Sequence, residues 1–191
     1  LCIKAISNFK DKRCIPVLLY CLNDKCANYK MRLQAAEALG KIGDKNAVES
    51  LINVVSDEEE KSVYVRESAA VALGMIGDMR AIGPFLSILE AKKNFLDKFT
   101  FLKERVLEAL GKINFTNTER IISAFKNALD DDSPQVKINA MECLMNSGYE
   151  HAYDLIKEKL KDTNEEVIKN AVVAMYNLKG KEALIEILKD E

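Results

Sequence analysis

A seven-residue motif recurs along this chain at nearly constant spacing, and that recurrence constrains its fold more than any other feature. Ala38-Leu39-Gly40-Lys41-Ile42-Gly43-Asp44 returns 34 residues later as Ala72-Leu73-Gly74-Met75-Ile76-Gly77-Asp78. A weaker copy, Ala109-Leu110-Gly111-Lys112-Ile113-Asn114, follows 37 residues on, and degenerate copies start at Cys143 and Ala174. Ala5-Ile6-Ser7-Asn8-Phe9-Lys10-Asp11 precedes them all. The copies lie 33, 34, 37, 34 and 31 residues apart, so six units account for the whole chain. Periods of this size mark an architecture in which one supersecondary unit is stacked on itself.

Each unit reads as two amphipathic helices. Val65, Ala69, Ala72 and Leu73 in unit three, like Val136, Ala140, Cys143 and Leu144 in unit five, fall three and four residues apart, a helical and not a strand period. The second helix is shorter: Ala47, Val48, Leu51, Val54 and Val55, or Ile121, Ile122, Phe125 and Leu129. Gly43 and Gly77 end first helices in the left-handed region, and Asp44 and Asp78 then cap the second helix of each pair. Ser133-Pro134 reads as an N-cap and first helical position, and Thr163 with Glu166 has capping-box spacing. Asp24, Asp57, Asp131 and Asp162 punctuate the joints, and Ala35, Ala36, Ala69 and Ala70 let first helices approach closely.

A pair of about 33 residues cannot bury both apolar faces alone, whereas stacked copies share one core. The fold expected is all-α: an α-solenoid, a superhelical stack of about six helix pairs with the first one incomplete, forming a single repeat domain over residues 1–191. Leu1 falls inside the first helix of unit one, so the chain is expected to be a fragment of a longer chain or array. Leu184, Ile185, Ile187 and Leu188 in the last helix are expected to face something further on in part. Glu90 to Phe99 is expected to extend the first helix of unit four. Phe95, Phe99 and Phe101 would pack over that longer helix or, alternatively, form an exposed partner contact.

The string Val65-Arg66-Glu67-Ser68-Ala69-Ala70-Val71-Ala72-Leu73-Gly74-Met75-Ile76-Gly77-Asp78-Met79-Arg80-Ala81 resembles the HEAT repeat, in the short variety called PBS-lyase HEAT-like. Arg32-Leu33-Gln34-Ala35-Ala36-Glu37-Ala38-Leu39-Gly40 matches as well, and the other units agree by register. The resemblance implies a scaffold. Its members include binding proteins, adaptors and a few enzymes, so it implies no reaction by itself. Deoxyhypusine hydroxylase, a HEAT-like metalloenzyme, is built on several His-Glu pairs, whereas the one histidine here, His151, is followed by Ala152. DNA-glycosylase relatives use a basic cleft with aromatic residues, and this chain has no Trp and a net charge of −2 from 28 basic and 30 acidic residues. Phycobilin lyases share the repeat type, but no chromophore site is recognisable.

Hydrophobic residues make up 48% and charged residues 30%, the balance of a globular protein. The longest apolar run, Cys14 to Leu22, is half of what a membrane span requires and contains Pro16. With no signal-peptide pattern in the first thirty residues, the expected location is the cytoplasm. Cys2, Cys14, Cys21, Cys26 and Cys143 include no CxxC pair. Repeat register places all but Cys26 at core positions, as small apolar residues of a reducing compartment. Asp130-Asp131-Asp132 and Glu58-Glu59-Glu60 lie at joints, where solvated charge is expected. No catalytic residue, cofactor or metal site is expected.

One constellation rises above this background. Nine residues before the last apolar residue of each second helix stand Arg13, Asn46, Arg80, Arg120, His151 and Lys179. Two residues before the same mark stand Tyr20, Asn53, Ser87, Asn127, Glu158 and Glu186. If second helices line the concave surface, these rows form a groove with a basic edge and a polar floor. Arg13, Tyr20, Asn53, Arg80, Ser87, Arg120, Asn127, His151 and Glu158 are therefore the candidate partner-binding residues. The function expected is a non-enzymatic scaffold or adaptor holding a protein partner in that groove. Two alternatives stay open: a lyase-like enzyme or subunit acting on a bound cofactor or chromophore, and a weak nucleic-acid phosphate binder along the arginine row. The charge balance argues against the last.

Overall fold

The computed structural model describes residues 10–91 and 100–189, and every regular element among them is helical. The chain divides into two compact units, Leu1–Asn114 and Phe115–Glu191. Unit 1 holds α1 (Ile15–Asn23), α2 (Tyr29–Ile42), α3 (Val48–Ser56), α4 (Val63–Ile76), α5 (Ile82–Glu90) and α6 (Thr100–Leu110). Unit 2 holds α7 (Glu119–Leu129), α8 (Pro134–Ser147), α9 (Ala152–Lys157), α10 (Glu165–Lys179) and α11 (Lys181–Lys189). First helices of 11 to 15 residues alternate with second helices of 6 to 11, the second being the shorter in every described pair except α6 and α7, which both have 11. Deviations are local: α9 ends in a 3-10 turn, Glu158–Lys161, and Glu90 closes α5 instead of opening the next helix.

In unit 1 the first helices α2, α4 and α6 pack side by side, and each second helix lies on the first helix of the following pair: α1 on α2, α3 on α4, α5 on α6. Unit 2 obeys the same rule, with α7 on α8, α9 on α10, and α8 against α10. The core therefore runs between layers. Leu18, Leu22, Leu51, Val55 and Phe85 of the second helices are fully buried in unit 1, as are Leu39, Leu73 and Leu107 of the first helices. Each such side chain contributes about 1.5–3 kcal/mol by leaving water. First helices approach to backbone contact where the motif has its first glycine. A Cβ on Gly40 would lie 2.7 Å from Ala72 Cα, and one on Gly74 2.7 Å from Ala109 Cα.

The punctuation forms as the residue types dictate. Gly43 (φ 74°) and Gly77 (φ 71°) end α2 and α4 in the left-handed region. Asp44 and Asp78 then accept hydrogen bonds from the backbone N–H of Asn46 and Arg80, starting the 3-10 turns that lead into α3 and α5. Ser133 caps α8 through the Val136 N–H, with Pro134 next. At all four joints the aspartate accepts from the N–H two residues on: Asp24 from Cys26, Asp57 from Glu59, Asp131 from Ser133, Asp162 from Asn164. The last of these turns displaces the expected capping box. Asn164, not Thr163, caps α10, accepting from the Glu166 and Val167 N–H groups.

Cys143 is buried, as its register predicts, but Cys14 and Cys21 are only half-buried. Among the described residues α1 packs on α2 and α3, both later in the chain. Phe101 is exposed on α6 and does not pack over it. Cys2, the first helix of unit one, Phe95, Phe99 and the expected extension over 92–99 lie outside the described residues.

Candidate functional site: exposed rows on the second helices

In unit 1 the row two residues before the apolar mark is presented to solvent. Tyr20 on α1 is 74% exposed, and Asn53 on α3 and Ser87 on α5 are exposed at the equivalent turn. Their buried neighbours fix this: Leu51, Val54 and Val55 point α3 inward, which leaves Glu49, Asn53 and Ser56 outward at i, i+4 and i+7. Second helices of successive pairs touch, α1 on α3 and α3 on α5, so these equivalent side chains form a continuous row. The Ser87 hydroxyl is turned back onto the Gly83 carbonyl at 3.2 Å. In unit 2, Asn127 on α7 and Glu158 after α9 are also exposed.

The arginine row differs from the bare basic edge expected. Arg13 clamps its own cap residue: its Nε and Nη2 donate to the Asp11 carboxylate at 3.0 and 2.6 Å. Arg80 does the same to Asp78, Nε at 3.0 Å and Nη2 at 3.1 Å, and Nη2 also reaches the Lys45 carbonyl of the preceding pair. The Arg80 hydrogen bonds, from side chain and then backbone, hold the Asp78 carboxyl at a pKa of about 2. Arg13 and Arg80 are thus each the second partner of an Asp-x-Arg turn, which explains why a cation stands at these two helix starts where the macrodipole disfavours it. Arg120 is exposed at the start of α7. His151, at the N-cap of α9, stacks edge-on to Tyr149 with centroids 5.5 Å apart and lies 3.2 Å from Glu150. Lys179 sits 3.5 Å above the Tyr153 ring.

Sequence reading missed a second set of polar residues, which holds the pairs together. Arg32 is buried and donates from Nε to the Leu22 carbonyl at the end of α1. Arg66 donates in the same way to the Val55 carbonyl at the end of α3. These arginines satisfy carbonyls left open at second-helix C-termini. Arg32 also pairs with Glu60 at 2.7 Å, with both side chains almost fully buried. Glu60 is therefore not the solvated joint charge expected. Burial alone would raise its pKa, but the bonds from Arg32 and the Ser62 N–H hold it below the usual range. The signal was the repeat itself, since Arg32 and Arg66 occupy one register position. In unit 2, Glu186 accepts from the Tyr153 hydroxyl at 2.6 Å and Lys157 at 2.7 Å. Burial and that carboxylate push the phenol up to about 12.

Open clefts lie beside these residues in both units. One of about 730 Å³ beside Tyr29, Ser62, Tyr64 and Arg66 lies in unit 1; one of about 590 Å³ beside Thr118, Lys126 and Tyr149 lies in unit 2. Among the described residues no group of three His, Cys, Asp or Glu side chains could hold a metal ion, and no helix is long and apolar enough to cross a membrane.

No curated protein matches this sequence. Solved structures do match its fold. The complex of CpcE and CpcF of phycocyanin lyase from Nostoc sp. PCC7120 aligns with a TM-score of 0.65 at 24% identity, over 95% of this chain and 72% of that one. A designed armadillo repeat protein in complex with the peptide (KR)4 aligns with a TM-score of 0.59 at 18% identity, over 93% and 91%. The archaeal HEAT-like repeats protein from Thermococcus onnurineus NA1 aligns at 0.58 and 18%, over 97% and 81%. These likenesses establish an α-solenoid fold. The family of HEAT repeats matches residues 1–63, 15–100 and 122–191. With its paired helices, glycine-closed first helices and this match over most of its length, the chain belongs to the HEAT-repeat family.

Proposed function

We propose that residues 1–191 are one repeat domain that acts as a non-enzymatic protein-interaction scaffold, holding a segment of a protein partner along the exposed rows of its second helices. The observation that carries the reading is the row Tyr20, Asn53 and Ser87, at equivalent turns of three successively packed helices. Packed helices lie about 8–10 Å apart, close to three residues of extended chain at about 3.3 Å each. A partner running across the row would meet one such side chain every third residue. Asn53 offers both a donor and an acceptor to a peptide backbone, and Tyr20 offers a ring of the kind that anchors interfaces.

Arg13 and Arg80 frame the row with their charge largely matched by Asp11 and Asp78. That favours a polar segment recognised through its backbone over a strongly acidic one. Arg120, Asn127, His151 and Glu158 are the corresponding residues of unit 2. That designed repeat proteins of this fold hold a peptide supports the reading without naming the partner. The cytoplasmic location is part of the same proposal.

The test is affinity capture from the source lysate with the wild type and an Asn53→Arg/Ser87→Arg variant, two exposed positions whose replacement leaves the core intact. Charge reversal at Arg13 or Arg80 would instead break helix-start clamps. A protein retained by the wild type and lost by the variant supports the row as the binding face. The same protein retained by both places binding elsewhere and overturns it.

A further inference from the structure

Charge is nearly absent from α1, α3 and α5. None of the three carries a Lys or Arg, and their only charged residues are Glu49 and Glu90, whereas α2 alone carries Lys30, Arg32, Glu37 and Lys41. The cations of this side stand in the turns that start the helices, where Lys12, Arg13 and Arg80 pair with Asp44, Asp11 and Asp78. Depletion of charge around an exposed tyrosine is the composition of an interface centre. A second row runs parallel to Tyr20, Asn53 and Ser87, one turn earlier: Pro16, Glu49 and Gly83, all exposed. The two rows make three stations of different chemistry. On α1, Pro16 and Tyr20 present an apolar ring beside an aromatic one. On α3, Glu49 and Asn53 present hydrogen-bonding groups with little net charge, because Arg80 Nη1 lies 3.9 Å from Glu49 and Lys45 stands four residues before it. On α5, Gly83 and Ser87 leave the helix surface nearly bare. A Cβ on Gly83 would meet nothing within 4 Å, and the Ser87 hydroxyl is turned onto the Gly83 carbonyl.

We infer, resting on the row as the binding face, that unit 1 holds an extended, uncharged segment of its partner through two bulky apolar side chains. One stacks on Pro16 and Tyr20, and the other sits in the slot over Gly83. Helices packed about 8–10 Å apart set these stations about 16–20 Å apart, which is about six residues of extended chain at about 3.3 Å each. The residue midway meets Glu49 and Asn53 and is polar. A run of acidic or basic residues finds no opposite charge along this path, since each cation at its edge already faces a carboxylate.

The experiment selects a random-peptide display library on the 191-residue chain and titrates an enriched peptide against the wild type, Gly83→Glu, Tyr20→Ser and Asn53→Arg/Ser87→Arg. The result expected is a set of peptides with two bulky apolar residues at that spacing and few charges between them. Gly83→Glu weakens binding about tenfold or more while Tm holds or rises, because it gains helix propensity and places an acid in the first turn of α5, which has none. Tyr20→Ser weakens it about tenfold and leaves Tm in place, the ring being exposed. Enriched peptides dominated by charged residues overturn the inference. So does a peptide lost from Asn53→Arg/Ser87→Arg but bound equally by Gly83→Glu and the wild type; the row then stands and the slot does not. A peptide bound alike by every variant, or a library that yields no binder, overturns the slot and the row together.

Discussion

Units 1 and 2 repeat the same helix pair but join successive pairs differently. In unit 1 the first glycine of the motif lets first helices meet at backbone distance, and the Asp-x-Arg turn after the second glycine clamps the start of α5. In unit 2 the first-glycine position holds Met145 and then Tyr176, and the aspartate position holds Tyr149 and then Gly180. Side chains there stand where unit 1 uses close backbone approach and a cap. The motif is therefore sharp where steric contact allows one residue and loose where a side chain can fill the space. Its decay along the chain tracks the kind of joint and leaves the fold unchanged.

The largest way to break the unit 1 joint is to orphan its buried charge. Glu60→Ala leaves Arg32 buried without its carboxylate and is expected to cost about 3 kcal/mol, read from the urea midpoint. Next comes the steric contact. Gly74→Ala gains helix propensity but drives a methyl group onto the Ala109 backbone, for a net loss of about 2 kcal/mol. At the matching position in unit 2, Met145→Leu should cost less than about 1.5 kcal/mol. Equal losses at the two sites would remove the distinction.

The smallest effect is acid sensitivity. In unit 1, Asp11, Asp44, Asp57, Glu60 and Asp78 are held below the usual carboxylate range; in unit 2, Asp162 and Glu186 are. A lowered native pKa contributes stability that is complete above the unfolded values of 3.8 and 4.5 and is lost as pH falls through the native ones, about 2 for Asp78. Glu67 of unit 1, pushed up by burial, works in the opposite sense. Hydrogen exchange between pH 5 and 3 should loosen unit 1 before unit 2.

Helix pairing, glycine stops and the serine–proline start were legible in the sequence because each depends on residues within one turn. The exposure of Tyr20, Asn53, Ser87, Asn127 and Glu158 was legible for the same reason: helical period turns a buried position into its outward neighbour. What escaped depends on contacts between pairs. Arg32 reaches a carbonyl 10 residues before it and a carboxylate 28 residues after it, and no local pattern reports either. The Asp-x-Arg clamps were readable in Asp11-Lys12-Arg13 and Asp78-Met79-Arg80, but only once the aspartate was known to cap the turn. Asn164 displaced Thr163 because its own side chain accepts from the Glu166 and Val167 N–H groups.

The most direct test puts a photo-crosslinking residue at position 53 on α3 or at position 37 on α2, both exposed, and irradiates each protein in the source lysate. If the second-helix row holds a polypeptide, a discrete protein adduct forms from position 53 and none from position 37. Adducts from position 37 alone, or equal yields from both, would contradict the scaffold reading.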